Sequence, residues 1–291
     1  MKILVTGGAG FIGLHLCTAL LQKGFSVTVL DDLSNSKAPK LKGINLVRGD
    51  VRDKNLVDNL VKENDLIYHL AATSRVIPAI KDPLTAFDVN VNGTVNVAVS
   101  CSKHQKHLVF TSSREVYGNP DELPCAETAH YSPVNPYGAS KIAGECIIKG
   151  LQASNPFSYS IFRLANVYGP GDKERVLPTF IQNAIKGKDL TVFGHDKTID
   201  FVHVDDVVEA FLMPLKAPTM TEVNVGSGRG ISLEKVAEYV IDSTKSKSSI
   251  LHKQKLDGEV DHFVADISAA KKLNWMPKVT FNEGINRLVK K

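Results

Sequence analysis

The run Thr6-Gly7-Gly8-Ala9-Gly10-Phe11-Ile12-Gly13 constrains this chain more than any other stretch. It follows the apolar residues 2–5 and leads into residues 14–22, whose apolar positions recur at helical spacing. Strand, glycine turn and helix in that order open a βαβ unit. Glycines 8, 10 and 13 match the G-x-G-x-x-G spacing, and glycines 7, 10 and 13 match its G-x-x-G-x-x-G variant. A side chain at these positions would hold a pyrophosphate away from the N–H groups at the helix start. A second apolar run, 26–30, ends in Asp31, 18 residues after Gly13. A carboxylate there can accept hydrogen bonds from an adenosine ribose and would repel a 2′-phosphate. The pattern predicts a dinucleotide site favouring NAD; the bland alternative is a glycine-rich turn with no ligand.

Apolar strand-like runs at 3–6, 26–30, 44–48, 66–70, 108–111 and 158–163 alternate with helical segments at 13–23, 55–62, 83–103 and 135–153. That alternation predicts an α/β fold, a Rossmann-type doubly wound parallel sheet. Runs such as Ile67-Tyr68-His69-Leu70-Ala71-Ala72 are apolar almost throughout, as strands covered on both faces require. After Arg163 the texture changes. Residues 166–173 are rich in Gly, Pro and Asn, and short strands and helices follow at 177–185, 190–193, 201–204, 222–225, 233–244 and 250–252. We read residues 1–165 as the dinucleotide-binding domain, rejoined by about 200–226. Residues 166–199 and 227–291 form a smaller C-terminal α/β lobe that seals the sheet's carboxyl edge.

A net charge of +4 over 291 residues, with no basic cluster interleaved with aromatics, excludes a nucleic-acid footprint. No apolar run reaches the roughly 18 residues that cross a bilayer, and the first strand begins at Lys2, so no membrane partner and a cytoplasmic location are expected. The four cysteines are widely spaced. Cys17, Cys101 and Cys146 fall in apolar helical segments and read as reduced core thiols, and no metal site is expected.

Tyr137-Gly138-Ala139-Ser140-Lys141 places a phenol and an ammonium on one helix face. A lysine beside a tyrosine, with a positively charged nicotinamide, favours the phenolate and lets the tyrosine serve as a base near neutral pH. Tyr-x-x-x-Lys also arises by chance on exposed helices. Here Phe110-Thr111-Ser112-Ser113 ends the strand that should border the crevice, placing Ser113 to share a proton with a substrate hydroxyl.

With these residues in hand, the chain resembles the extended short-chain dehydrogenase/reductase family, in particular its nucleotide-sugar epimerase and dehydratase branch (UDP-glucose 4-epimerase-like). The resemblance spans nearly all 291 residues. It rests on the glycine turn, Asp31-Asp32-Leu33-Ser34-Asn35, Asp50-Val51, His69-Leu70-Ala71-Ala72, Asn90-Val91-Asn92-Gly93-Thr94, residues 112–118, Tyr137 to Lys141, residues 163–170, residues 200–206 and Asn224-Val225-Gly226. It implies Tyr137 as catalytic base, Lys141 as the residue that lowers its pKa and binds the nicotinamide ribose, and Ser113 as hydroxyl partner. It implies a cofactor site from Gly7, Gly10, Phe11, Ile12, Gly13, Asp31, Asp32, Asn35, Ser36, Asp50, Val51, Leu70, Ala71, Ala72, Asn90 and Val167. For the nucleotide sugar it implies Thr73, Ser113, Glu115, Asn166, Val176, Leu177, Phe193 and Phe263. The apolar members of both sets are equally suited to plain core packing.

The chain departs from its family's pattern at three places. Where dehydratases carry Asp then Glu after the Ser/Thr, this chain has Arg114 then Glu115, and a permanently protonated arginine cannot give up a proton. Glu115 is either a remaining base or a solvated carboxylate. Two arginines that grip the substrate diphosphate in epimerases align with Ile199 and Leu256. Either Arg175, Lys197, Lys253 or Lys255 substitutes for them, or the substrate carries no diphosphate. The resemblance thus implies an NAD-dependent epimerase inverting sugar C4 of a UDP-sugar through a 4-keto intermediate, working as a homodimer through residues 83–103 and 135–153. The alternatives are a related dehydrogenase, reductase, decarboxylase or dehydratase using Glu115, and a non-catalytic NAD-sensing protein.

Overall fold

Strand and helix alternate from the first residues of the chain, known here as a computed structural model that describes residues 1–35, 41–173, 175–194, 196–215, 220–255 and 257–290. The order is β1 (Lys2–Thr6), α1 (Phe11–Gln22), β2 (Ser26–Asp31), β3 (Ile44–Arg48), α2 (Lys54–Glu63), β4 (Leu66–His69), α3 (Val76–Lys81) and α4 (Pro83–Phe87). A π-helical turn over Asp88–Asn92 leads to α5 (Gly93–His104), β5 (His107–Ser113), α6 (Pro136–Ser154) and β6 (Tyr159–Leu164). The helix expected over 83–103 is therefore broken. The wider turn draws Asn90 inward, where it is buried.

The second half adds β7 (Asn166–Tyr168), α7 (Val176–Ile185), β8 (Leu190–Phe193), β9 (Thr198–His203), α8 (Val204–Phe211), β10 (Thr221–Val225), β11 (Gly230–Ser232), α9 (Leu233–Thr244), β12 (Ile250–Lys253), β13 (His262–Phe263), α10 (Ser268–Lys272) and α11 (Phe281–Val289).

Seven strands form one sheet in the order β3-β2-β1-β4-β5-β6-β10, and every neighbouring pair is parallel. The strands alternate their side chains between two faces. Ile3, Val5, Val27, Val29, Tyr68 and Val109 enter one core, while Leu4, Leu30, Ile67, Leu108, Phe110 and Ile161 enter the opposite one. Both faces are covered by helices, which explains the unbroken apolar runs. Among the residues of β5 and β6 none is exposed.

Sequence order reverses between β1 and β4, so a crevice opens at their carboxyl ends. Opposite it, β9 pairs with β7, β11 and β13, β8 pairs with β12, and α7, α9 and α11 pack around a third core. β10 returns to the large sheet beside β6, and α8 packs on α1.

Cys17, Cys101 and Cys125 are buried thiols, but Cys146 is exposed. The inward face of α6 is taken by Lys141, Gly144 and Glu145, which turns Cys146 outward against the expectation of a core thiol.

Candidate active site

A cleft of about 2010 Å³ runs along the carboxyl ends of β1, β2, β4, β5 and β6, with residues of the smaller sheets forming its other wall. The glycine turn lies in it. Gly7 has φ +70°, and a Cβ there would stand 2.6 Å from the Ala71 nitrogen. A Cβ on Gly13 would stand 2.4 Å from the Gly7 carbonyl oxygen. No side chain caps α1, whose N-cap is Gly10, so its first-turn N–H groups are left for a ligand anion.

Asp31 ends β2 and braces this turn, accepting from the Ala9 amide at 3.0 Å and the Leu33 amide at 2.9 Å. Asp32 and Asn35 line the same end, with Asp32 accepting from both the amide and the hydroxyl of Ser34. Ser36 lies outside the described residues. Asp50 reaches the cleft with its carboxylate gripped by Arg52 (2.6 Å), beside buried Val51. Phe11, Ile12, Leu70, Ala71, Ala72, Thr73 and Val167 complete the walls. Asn90 does not line them. Its side chain accepts from the Thr73 amide (2.7 Å) and donates to the Ser140 hydroxyl (2.9 Å), so it holds the wall from behind.

Ser113, Tyr137 and Lys141 meet in the middle of the cleft. Asn135 caps α6 by accepting from the Gly138 amide at 2.8 Å, and Pro136 occupies the first helical position, which aims Tyr137 at the end of β5. Burial pushes the Tyr137 phenol up to about 12; a hydrogen bond with Ser113 and the charges of Arg175 and Arg114 pull against it, while Glu115 adds to the rise. Lys141 lies one turn along the same helix face, near the phenol ring. Its Nζ donates to the Thr111 carbonyl at 2.8 Å and lies 5.8 Å from the Tyr137 ring centroid, and burial lowers its own pKa to about 8.

Arg114 and Glu115 are both buried, so the solvated reading of Glu115 fails. Arg114 donates through Nη2 to Glu115 Oε1 (2.9 Å) and through Nε to Asn166 Oδ1 (2.6 Å), and Asn135 donates to Glu115 Oε2 (2.7 Å). Both carboxylate oxygens are engaged. Asn135 also donates to the Gly258 carbonyl (2.9 Å), tying the loop before β13 to the start of α6. Sequence reasoning missed Asn135, although Asn-Pro directly before an amphipathic run is an N-cap signal.

At the end of the cleft beside α7 and β9, Val176, Leu177, Arg175 and Lys197 line it with Ile199. Lys197 is buried and ion-paired with Glu259. Arg175 donates to the Val167 carbonyl at 3.0 Å. Lys253 and Lys255 are not among the lining residues; Lys255 is exposed and paired with Asp261. Leu256 lies outside the described residues. Phe193 and Phe263 also stay off the lining. Phe263 is buried with its ring stacked on Tyr117 and Arg114 over its face (5.8 Å), so it supports the cleft from the core. Phe201, within the 200–206 stretch, lines the cleft too, and Arg75 and Val260 line it without a sequence signal.

Residues 3–226 match the NAD dependent epimerase/dehydratase family. A Methanocaldococcus jannaschii protein provisionally named a UDP-glucose 4-epimerase is 35% identical over 299 residues, which cover 99% of this chain and 97% of that protein. The solved UDP-glucose 4-epimerase of Thermotoga maritima with UDP-glucose superposes with a TM-score of 0.95 at 29% identity, covering 100% of this chain and 98% of that one. The Thermus thermophilus UDP-glucose 4-epimerase complex with NAD superposes with a TM-score of 0.93 at 32% identity, with the same coverage.

Proposed function

This chain belongs to the NAD dependent epimerase/dehydratase family, and we propose that it is an NAD-dependent nucleotide-sugar epimerase inverting C4 of a UDP-sugar. The observation that carries the proposal is the convergence of Ser113, Tyr137 and Lys141 in the cleft that the glycine turn floors. The turn fits the cofactor. Its crowding at Gly7 and Gly13 and the uncapped start of α1 suit a pyrophosphate, and Asp31 beside them suits an unphosphorylated ribose. When bound, NAD would supply a hydride acceptor at C4, and return of the hydride to the other face of the 4-keto sugar, after the sugar turns over in the cleft, would invert the centre.

Tyr137 removes the proton from the sugar C4 hydroxyl and later restores it, with Ser113 sharing that proton. The phenol's high pKa is lowered by positive charge, and Arg175, Arg114 and the bound cofactor act in the same direction. Lys141, held on the Thr111 carbonyl, binds the cofactor ribose. The engaged carboxylate of Glu115 supports a bracing role over proton transfer.

For the substrate diphosphate, Arg175 and Lys197 are the two of the four basic candidates that line the cleft, and we assign the grip chiefly to Arg175, whose ion pair with Asp172 is long (3.6 Å) where that of Lys197 with Glu259 is close. The large sheet forms the cofactor domain and the smaller sheets the substrate lobe. The enzyme works as a cytoplasmic homodimer; exposed Leu84, Phe87 and Val99 on α4 and α5, and four free cysteines, support this. A panel of nucleotide sugars incubated with and without NAD tests the reading. Interconversion of C4 epimers with no net NADH is expected; oxidation or loss of carbon dioxide would replace it.

A further inference from the structure

We propose that Ser112, Glu145 and Arg163 are positioning residues that fix the register of α6 against β5, and thereby the approach of Tyr137 to Ser113. The proposal rests on the epimerase reading only for its activity readout. Two consecutive residues of β5 are hydrogen-bonded to α6, and the next one faces it. The Thr111 carbonyl accepts from Lys141, the Ser112 hydroxyl donates to Glu145 Oε1 at 2.5 Å, and Ser113 lines the cleft with Tyr137. Tyr137, Lys141 and Glu145 follow at intervals of four, so they share one helix face.

The carboxylate of Glu145 is gripped from every side. Arg163, the strand partner of Ser112 on β6, donates Nε to Oε1 (3.0 Å) and Nη2 to Oε2 (2.7 Å), and Tyr131 donates to Oε2 at 2.5 Å. Arg163 spends its other donors on the Tyr117 hydroxyl, the Glu127 carbonyl and Glu222. Lys149 and Glu222 are the other charged side chains against this pair. Glu145 is 0% and Arg163 1% exposed.

A pair buried this deeply is weak evidence for stability, because desolvating both ions offsets most of their attraction. Its directional value is larger. A planar guanidinium and a carboxylate with every lone pair filled admit one arrangement, so α6 cannot slide along β5 without breaking several charge-assisted bonds at once. Gly138 and Gly144 bring the helix close, where an added Cβ would stand 2.4 Å from the Glu115 carbonyl oxygen and 2.7 Å from the Phe110 ring. Close approach sets the depth of the helix, and the Ser112–Glu145–Arg163 clamp sets its register.

The test compares Ser112→Ala, which cuts the strand from the clamp, with Glu222→Gln, which alters the same network from β10, at its pairs with Arg163 and Lys149, and leaves the bonds between β5 and α6 in place. In NAD-loaded protein, Ser112→Ala should lower kcat per folded molecule about ten- to a hundredfold, the scale of a misplacement near 1 Å. KM and NAD retention should stay within about twofold, a range well inside the error of such cost estimates. Glu222→Gln should leave kcat per folded molecule near the parent value. Independently of any turnover, hydrogen exchange at amides 138–142 should be at least about tenfold faster in Ser112→Ala than in Glu222→Gln, reporting local opening of the helix start. Should Ser112→Ala fail to fold, Glu145→Gln, which keeps the volume, carries the same two readouts. Equal kcat per folded molecule and equal exchange in both variants would overturn the clamp. Absence of turnover in the parent with the exchange difference intact would overturn the epimerase reading and leave the clamp standing.

Discussion

Alanine at Gly13 and alanine at Gly10 should fail in different ways, because the two glycines meet different neighbours. A Cβ on Gly13 would sit 2.4 Å from the Gly7 oxygen, 2.7 Å from the Gly8 Cα and 2.9 Å from the Gly8 carbonyl carbon, all backbone atoms that cannot rotate away. Ordinary contact requires the start of α1 and the turn to part by about 1 Å. Such overpacking costs about 3 kcal/mol at the unyielding end of its range. Helix propensity returns about 1 kcal/mol for Gly→Ala. The net loss of about 2 kcal/mol should lower Tm by roughly 4–8 °C. A Cβ on Gly10 meets only the Gly7 oxygen, at 3.2 Å, and Gly10 already has φ −72°. Gly10→Ala should therefore melt within about 2 °C of the parent, the shift of a fraction of a kcal/mol. Its methyl projects into the cleft over the turn and should weaken NAD by at least about tenfold, or about 1.4 kcal/mol. Thermal unfolding with and without NAD reads both effects, since ligand at a hundred times its Kd adds about 2.7 kcal/mol of stability. A full NAD shift in Gly10→Ala, or a Gly13→Ala variant that melts with the parent, would refute this account of the turn.

Asp31→Ala should narrow the preference for NAD over NADP and also lower Tm in cofactor-free protein, because the Ala9 and Leu33 amides lose their acceptor; binding titrations with both dinucleotides and a melting curve check it. Arg175→Ala should weaken UDP-sugar binding about tenfold or more, as loss of a charge-assisted bond does, while Lys253→Ala, off the cleft, should leave calorimetric affinity unchanged. Lys141 has a folded pKa of about 8 against an ordinary 10.5, so the folded state disfavours its charge. The associated stability is present above about pH 10.5 and lost as pH falls through about 8. Lys141→Met should accordingly lose activity yet melt higher than the cofactor-free parent at pH 7, by up to about 3 kcal/mol, with the advantage gone above about pH 10.5; a lower Tm at pH 7 would contradict the stated cost of burying that charge.

The doubly wound sheet was legible because its signals are local: apolar runs, helical periodicity and a glycine turn all act within one βαβ unit. So was the pairing of Tyr137 with Lys141, a matter of helix geometry. What escaped the sequence depends on residues far apart along the chain. Glu115 reads as a solvated carboxylate until Arg114 folds over it and Asn135 reaches it from α6. Lys197 and Lys255 look alike as free lysines, yet one is buried in the cleft and the other is exposed beside Asp261. Phe263 has the composition of a cleft residue, but stacking on Tyr117 turns it into the core. The bond of Lys141 to the Thr111 carbonyl ties α6 to β5, which no helix spacing could foretell. The break at Asp88–Asn92 likewise follows from inward contacts of Asn90 with Thr73 and Ser140.

The central claim is that this cleft inverts a sugar centre by reversible oxidation at C4, with Tyr137 taking and returning the hydroxyl proton. Its most direct test is incubation of the NAD-loaded protein and its Tyr137→Phe variant with UDP-galactose, following sugar identity and NADH absorbance together. The account predicts conversion to UDP-glucose with no net NADH, and a rate lower by about 10²–10⁴-fold in the variant with NAD still bound. Near-native conversion by Tyr137→Phe, or net accumulation of NADH with an oxidised sugar, would contradict it.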